Sequence, residues 1–571
     1  MSTRTGAVLA LSFNLPAGFY PGRPGSTRAR PYKAHHDGFR GSQVPTAICN
    51  DNSNGGEQAA TDLFLPATFM EDLKIVALSL GGVAALYLLV RNAYSGPNLD
   101  FIPTVGRSGS ISSYIDAFRY VFYAKEMFQE GYQKHPETFF RVPVVDRWSV
   151  LVSGKQLIGD IANAREEDLS FHQSTNEFLQ TRYTLGRGCE RDPYHPAVIR
   201  TSLTRNVGHR FPDVRDEIVC SFADLISLRG DEWLAVPAYD TMLQVICRTS
   251  NRFFVGLPLC RDPDYLALVN QVAMDVVVKA QLINFLPAFL RPTLGPFISS
   301  LNSNMRRAER HLTPLIAERL NKMEELGKDW PGKPNDLISW LMDAAQGDEL
   351  TLTALVQRVI FVNFAAIRTS TDTFVHLLFD LAAYPSYVQP LREEVEAIVN
   401  EEGWTKAAVG KMHKIDSFLR ESQRVHGIGT QSLGRKVVGP DGFKFSDGTT
   451  LPHGTYLHAT TWSLHHDPEL YPDPHVFDGF RFDKLRQAEE TGAAKYQAVT
   501  TSLDYLAFGH GVHSCPGRHM AVIELKAIVA HIVLNYDIKL PNDEGRPANQ
   551  YVASACLPNA SAKVLFRKRQ S

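Results

Sequence analysis

A mainly helical fold carrying a small amount of β structure, and preceded by a membrane helix, is predicted from three features of the sequence. Beyond Gly96-Pro97 most of the chain reads as helical stretches punctuated by proline and glycine; Thr351 to Tyr384, for example, is one long, mostly apolar run stopped by Pro385. Near the front of that region Phe139 to Val144, a turn at Asp146-Arg147 and Ser149 to Ser153 have the alternation of a hairpin. Further upstream, Ile75 to Val90 is free of charge between Lys74 and Arg91.

Residues 1–70 form the leader. They are rich in Gly, Pro, Ser and Asn, as in Asp51-Asn52-Ser53-Asn54-Gly55-Gly56, and read as disordered. Met1 to His36 holds Arg4, Arg23, Arg28, Arg30 and Lys33 but no acid, the balance of a transit peptide; its weak amphipathicity favours a plain solvated leader instead. Residues 71–92 are the candidate transmembrane anchor. The uncharged run, with flanks that can snorkel, nearly reaches the roughly 17–25 residues a span needs. Only Ser79 and Tyr87 interrupt it, whereas a soluble core helix keeps a polar face. Residues 93–571 are the globular domain, entered through a stiff hinge at Gly96-Pro97 and Pro103.

Composition excludes several classes. With 571 residues and a formal net charge of -2, the chain has neither the basic excess of a nucleic-acid binder nor an acidic solvating tail. The 7 cysteines are scattered without a CxxC pair, so neither a disulfide framework nor a zinc site is indicated, and the folded domain fits a reducing compartment.

The most informative stretch is Phe508-Gly509-His510-Gly511-Val512-His513-Ser514-Cys515-Pro516-Gly517-Arg518. An amphipathic helix is expected after it, on Met520, Ile523, Ile528, Ile532 and Val533, with Pro516 in its first turn. Cys515 then sits at a helix N-terminus, where free N–H groups and the dipole favour a thiolate. Gly511 permits tight backbone geometry, and Gly517 lets something flat approach the start of the helix.

The spacing Phe-x-x-Gly-x-x-x-Cys-x-Gly resembles the haem-binding signature of the cytochromes P450. That resemblance covers about residues 97 to 571, and the wording of Asn363 to Pro385 and Asp504 to Pro541 looks most like fungal P450s of secondary metabolism, which often oxidise terpenoids. It implies the mainly helical P450 fold with a small β-rich lobe, a haem b whose iron takes Cys515 as axial thiolate, Phe508 packed on the sulfur side, and His513 at a haem propionate. A thiolate pushes electron density toward iron and favours O–O cleavage, which explains the need for cysteine.

The same resemblance places other residues. Glu421 and Arg424, at i,i+3 in the helical stretch Asp416 to His426 that Asp416 is expected to cap, match the family's ExxR pair. Arg481 would complete it from a meander, although Gly479-Phe480 stands where Pro-Glu is usual. Thr369, in Ala365-Ala366-Ile367-Arg368-Thr369-Ser370, matches the threonine that helps deliver protons to dioxygen. Arg368 replaces the customary acid and cannot act as a carboxylate relay; it either pairs with Asp372 at i,i+4 or meets an acidic or polar substrate group. Arg435 and Arg200 are candidates for the propionates, the latter with Pro196 in place of the family tryptophan. Phe285 to Ile298, apolar and broken by Pro287, Pro292 and Pro296, lies where the family has a membrane-touching access region; core packing explains it equally well.

The implied function is a monooxygenase that hydroxylates a hydrophobic small molecule with dioxygen and electrons from an NADPH-cytochrome P450 reductase, without nucleic-acid partners. Its expected place is the endoplasmic reticulum membrane with the domain in the cytosol, the mitochondrion being the alternative. Two other functions compete: a haem-thiolate isomerase or dehydratase needing no reductase, kept open by Arg368, and a non-catalytic haem-binding protein.

Overall fold

The computed structural model describes residues 96–570 apart from 110, 111, 145, 490 and 542–544. The expected leader (1–70) and anchor (71–92) lie outside the described residues. What is described is mainly α with small sheets, as the sequence predicts.

The largest sheet has five strands: β1 (Phe139–Pro143), β2 (Trp148–Val152), β3 (Leu169–Ser170), β4 (Ser432–Val437) and β5 (Tyr456–Ala459), in the order β1-β2-β5-β4-β3. The hairpin is present, with Phe139 opposite Val152. The rest of the sheet is assembled across some 300 residues of sequence, since β2 pairs in parallel with β5, Val150 against Leu457. One face is apolar: Val150, Val152, Leu457 and Ala459 are fully buried with Leu157, Ile158 and Ile161 against them.

Four helices frame the site: α1 (Ala238–Phe254), α2 (Leu352–Ala383), α3 (His413–Val425) and α4 (Arg518–Asn535). α2 begins where Thr351 accepts from the Ala354 N–H at 3.4 Å and ends at Tyr384, ahead of Pro385, as expected. It runs through the main core, and its buried charged residues have partners. Arg358, wholly buried, pairs with Glu349 at 2.8 Å and reaches the Gly188 carbonyl at 2.9 Å and His195 Nδ1 at 3.0 Å.

Two local expectations need correction. α3 starts at His413, so Asp416 lies inside its first turn and caps nothing; its carboxylate accepts from the Ala498 N–H at 2.7 Å and from Lys526 Nζ at 3.0 Å. The helix after the cysteine is not amphipathic. Residues 524–533 of α4 are buried without interruption, because Glu524, Lys526 and His531 are enclosed with the apolar positions rather than forming a wet face.

The segment Phe285 to Ile298 is not core. A helix spans Arg291–Ile298, and Phe285, Phe289, Leu294 and Phe297 are exposed, Phe297 at 85%.

Candidate functional site

Cys515 lies at the end of a tightly closed loop. The Cys515 N–H donates to the Phe508 carbonyl at 2.9 Å, Gly509 N–H to Leu506 at 2.8 Å and Ser514 N–H to Gly511 at 3.1 Å. Gly511 has φ +74°, and a Cβ there would meet the Ala162 carbonyl oxygen at 2.1 Å, so both the backbone and the neighbouring helix demand glycine. At Gly517 the nearest atom to such a Cβ would be Ile199 Cγ2 at 3.9 Å, which leaves a face of the loop open. α4 begins at Arg518, with Pro516 ahead of it rather than in its first turn. Burial pushes the Cys515 thiol up, against the lowering effect of the Gly517 and Arg518 N–H groups and the Arg518 charge. The helix end thus acts on the sulfur in the expected direction, and burial opposes it.

The loop is suspended from a buried charge network. Arg424 donates to both oxygens of Glu421 at 2.8 Å, and both side chains are fully buried. Arg481 Nε reaches Glu421 Oε1 at 3.1 Å and its Nη1 the Pro472 carbonyl at 2.7 Å. The expected trio is thus assembled despite the Gly479-Phe480 departure. That departure has a cause: a Cβ at Gly479 would come within 2.5 Å of the Phe418 ring. Arg424 Nη1 also holds the His465 carbonyl at 2.7 Å, while His465 Nε2 accepts from the Leu506 N–H at 3.0 Å. Burial and the neighbouring cations keep His465 well below the ordinary imidazole range, so it is the neutral acceptor this bond needs. No periodicity or spacing in the sequence points to His465.

On the other side of Cys515 opens a mostly apolar cavity of about 370 Å³. Cys515, Phe508 and Gly517 line it together with Ala365, Ala366 and Thr369 from α2. Thr369 is exposed to it and donates to the Ala365 carbonyl at 2.9 Å, the i−4 bond common to helical threonines. Arg368 is not among the lining residues. It lies 5.0 Å over the Tyr239 ring and 3.9 Å from Asp372, itself bound by the Tyr239 hydroxyl at 2.9 Å. Of the two expectations for Arg368, this geometry matches the i,i+4 pairing with Asp372.

The three candidate anion contacts behave differently. Arg435, on β4, is 1% exposed and donates through Nη1 to the Gly434 carbonyl at 2.9 Å, but its buried Nε and Nη2 have no partner. Burial lowers it to about 10. Arg200 is exposed and donates to the Val512 carbonyl at 2.9 Å, bracing the cysteine loop. His513 stacks on Phe171 and sits 2.9 Å from Glu166, through Nε2. Glu166 also accepts from the Phe171 and His172 N–H groups at 3.0 Å; this clamp on the loop carries no sequence signal either.

These features fit a haem: a thiol at the open face, small residues facing it, and a buried guanidinium with spare donors for a carboxylate edge. Among the described residues no cluster of His, Cys, Asp and Glu offers a competing metal site.

Comparison with known proteins agrees. The profile of the family described as "Cytochrome P450" matches residues 118–566. Cytochrome P450 monooxygenase 71 of Postia placenta is 44% identical over 504 residues, which cover 88% of this chain and 99% of that protein. Cytochrome P450 monooxygenase CYP512U6 of Ganoderma lucidum is 36% identical over 502 residues, 88% of this chain and 97% of that one. Among solved structures the cytochrome P450DA heme domain superposes with a TM-score of 0.62 at 14% identity, over 82% of this chain and 98% of that chain, a likeness of fold alone. The chain therefore belongs to the cytochrome P450 family, monooxygenases that act on small molecules with a redox partner and a haem whose iron takes a cysteine thiolate.

Proposed function

We propose that this chain hydroxylates a hydrophobic small molecule of terpenoid or similar secondary-metabolite type, taking electrons from an NADPH-cytochrome P450 reductase. The observation that carries the reading is the sharing of one apolar cavity by Cys515 and Thr369. Cys515 is the iron ligand, Phe508 covers the sulfur side, Gly517, Ala365 and Ala366 leave room for the flat group, and Arg435 is best supplied to hold a propionate. His513 and Arg200 act beside it, the first oriented by Glu166 and the second tied to the loop backbone. When bound, the haem supplies the activation of dioxygen and the oxidising power for a C–H bond.

The protein's part is positional. Thr369 commits its hydrogen to the Ala365 carbonyl, so Oγ1 is left to accept from a water in the cavity and to hold a proton source there. The apolar walls exclude bulk water from that proton. Glu421, Arg424, Arg481 and His465 fix the cysteine loop through the bonds described above. Arg368 lies over Tyr239 and not in the cavity, whereas Thr369 of α2 shares it with Cys515, which favours the monooxygenase over reductase-free rearrangement.

Residues 71–92 anchor the domain to the endoplasmic reticulum membrane, and the exposed Phe285, Phe289 and Phe297 give it an apolar face for the lipid surface. Deleting residues 1–92 should release most of the protein from membranes; a truncated protein as tightly bound as the parent overturns the single anchor.

The deciding experiment is the reduced carbon-monoxide difference spectrum of the protein beside Cys515→His. A red-shifted Soret band in the parent, absent in the variant, is expected. A parent band of the imidazole type removes Cys515 as ligand. Turnover that proceeds without NADPH and reductase would instead establish an isomerase or dehydratase.

A further inference from the structure

The polar side chains around the cavity divide by whether the protein already satisfies them. Ser250 donates to Glu524 at 3.1 Å, Ser422 to Asp380 at 2.5 Å and Thr461 to Ser432 at 2.6 Å, and His465 accepts from Leu506. Ser370, Thr373 and Gln431 line the same cavity and make no side-chain hydrogen bond to the described residues. For Thr373 this is a departure from its own helix, where Thr369 and Thr371 both donate to their i−4 carbonyls. Gln431, just before β4, is half-buried, and its Oε1 is enclosed without a donor. An unpaired buried amide costs about 1–3 kcal/mol, so such groups stay where something else completes them.

The chemistry of that partner is constrained from both directions. A carboxamide and a hydroxyl each offer a donor and an acceptor; the enclosed Gln431 Oε1 asks for a donor, and a hydroxyl supplies one while accepting in return. No lysine or arginine lines the cavity; of its histidines, burial keeps His376 and His465 neutral and His426 lies 3.3 Å from Asp380, so a carboxylate or a diphosphate in the substrate is poorly matched there. The remaining lining is mostly apolar. Thr373 lies four residues after Thr369 on α2, which puts it about one helical turn, roughly 5 Å, along the helix from the proton-holding threonine.

We infer that the substrate is a neutral, apolar skeleton that already carries a hydroxyl group, and that Thr373 and Gln431 bind this hydroxyl one helical turn from the site of oxidation. This rests on the haem-thiolate reading above. It also orders the chemistry: a hydroxylating or hydrating reaction must precede this enzyme, which adds oxygen to a molecule already functionalised.

The test uses purified haem-loaded protein whose carbon-monoxide spectrum has been recorded, titrated with matched probes while the Soret spin-state change is read. The pairs are decalin and decalol, adamantane and adamantanol, and cholestane and cholestanol, with adamantanecarboxylic acid as the anionic control. At least one alcohol should bind about tenfold more tightly than its hydrocarbon, and the acid no more tightly. In Thr373→Val and in Gln431→Leu that ratio should fall to near one, and Thr373→Ser should keep it. Equal binding of alcohol and hydrocarbon by the parent, or no binding of any alcohol, overturns the inference. So does a preference that survives both substitutions, or a Gln431→Leu protein that loses haem with the ratio intact, since Gln431 would then serve the cofactor's edge. A parent without the thiolate band fails the haem reading itself and takes this inference with it.

Discussion

The two sides of Cys515 are built on opposite terms. Behind it, charge meets charge and every bond is closed: Glu421 with Arg424 and Arg481, Arg424 with the His465 carbonyl, His465 with Leu506. In front of it the cavity is mostly apolar and three of its polar side chains are left open. The closed side must hold one geometry through every turnover, and a buried ion pair with full hydrogen bonding does so at the cost of great sensitivity to loss of either member. The open side must accept a molecule the protein does not contain, so its spare bonds are the recognition surface. Rigidity and selectivity are thus allotted to separate residues.

The strongest way to break this division is Arg424→Ala, which leaves Glu421 charged and buried. A loss of about 3–5 kcal/mol is expected, read as a fall in melting temperature and in haem retained per chain; a fully haem-loaded variant of unchanged stability would show that the network is dispensable. Next in size is Thr369→Ala on the open side. Product formation should fall about tenfold to a hundredfold while NADPH oxidation falls less, because electrons still arrive and the proton does not. Equal loss of both rates would place Thr369 in binding instead.

A smaller effect tests the boundary between the sides. Burial raises Glu524, where α4 meets Ser250 of α1, to about 8. The folded protein keeps a proton that the unfolded chain releases above the ordinary carboxylate range, so this contribution to stability is complete at acid pH and is lost as pH climbs toward about 8. Glu524→Gln keeps the bond to Ser250 and cannot ionise. Between about pH 5 and about pH 8 the parent should lose more stability than the variant, by about 1 kcal/mol per pH unit; parallel melting curves would mean that Glu524 is ionised at neutral pH. The smallest effect is expected from Arg368→Ala, whose side chain lies over Tyr239 outside the cavity. Spectral titration with an adamantanol probe should give an affinity within about twofold of the parent.

Legibility in the sequence followed the same division. The cysteine loop, the Glu421–Arg424 pair and the start and stop of α2 could be read because each depends on residue type at a fixed local spacing. The distant contacts that hold the cysteine loop could not: Glu166 meets His513 and His465 meets Leu506 only after the chain has folded. The parallel pairing of β2 with β5 is hidden for the same reason. Asp416 misled as a cap because its carboxylate serves Ala498 and Lys526, both distant in sequence. α4 misled because Glu524 and Lys526 look like a wet face until Ser250 and Asp416 are brought to them. The Gly479-Phe480 departure looked like a weakness and is a packing requirement of Phe418.

The unpaired nitrogens of Arg435 reach beyond catalysis. If a haem propionate meets them, as proposed, it completes an enclosed cation on a total stability that in proteins amounts to only about 5–15 kcal/mol. Binding of the prosthetic group adds its own free energy to the folded state alone, in proportion to the logarithm of its free concentration. Chains that wait for it are the ones offered to chaperones and proteases. On that reading haem supply would set how much of this protein a cell keeps, before any substrate is met.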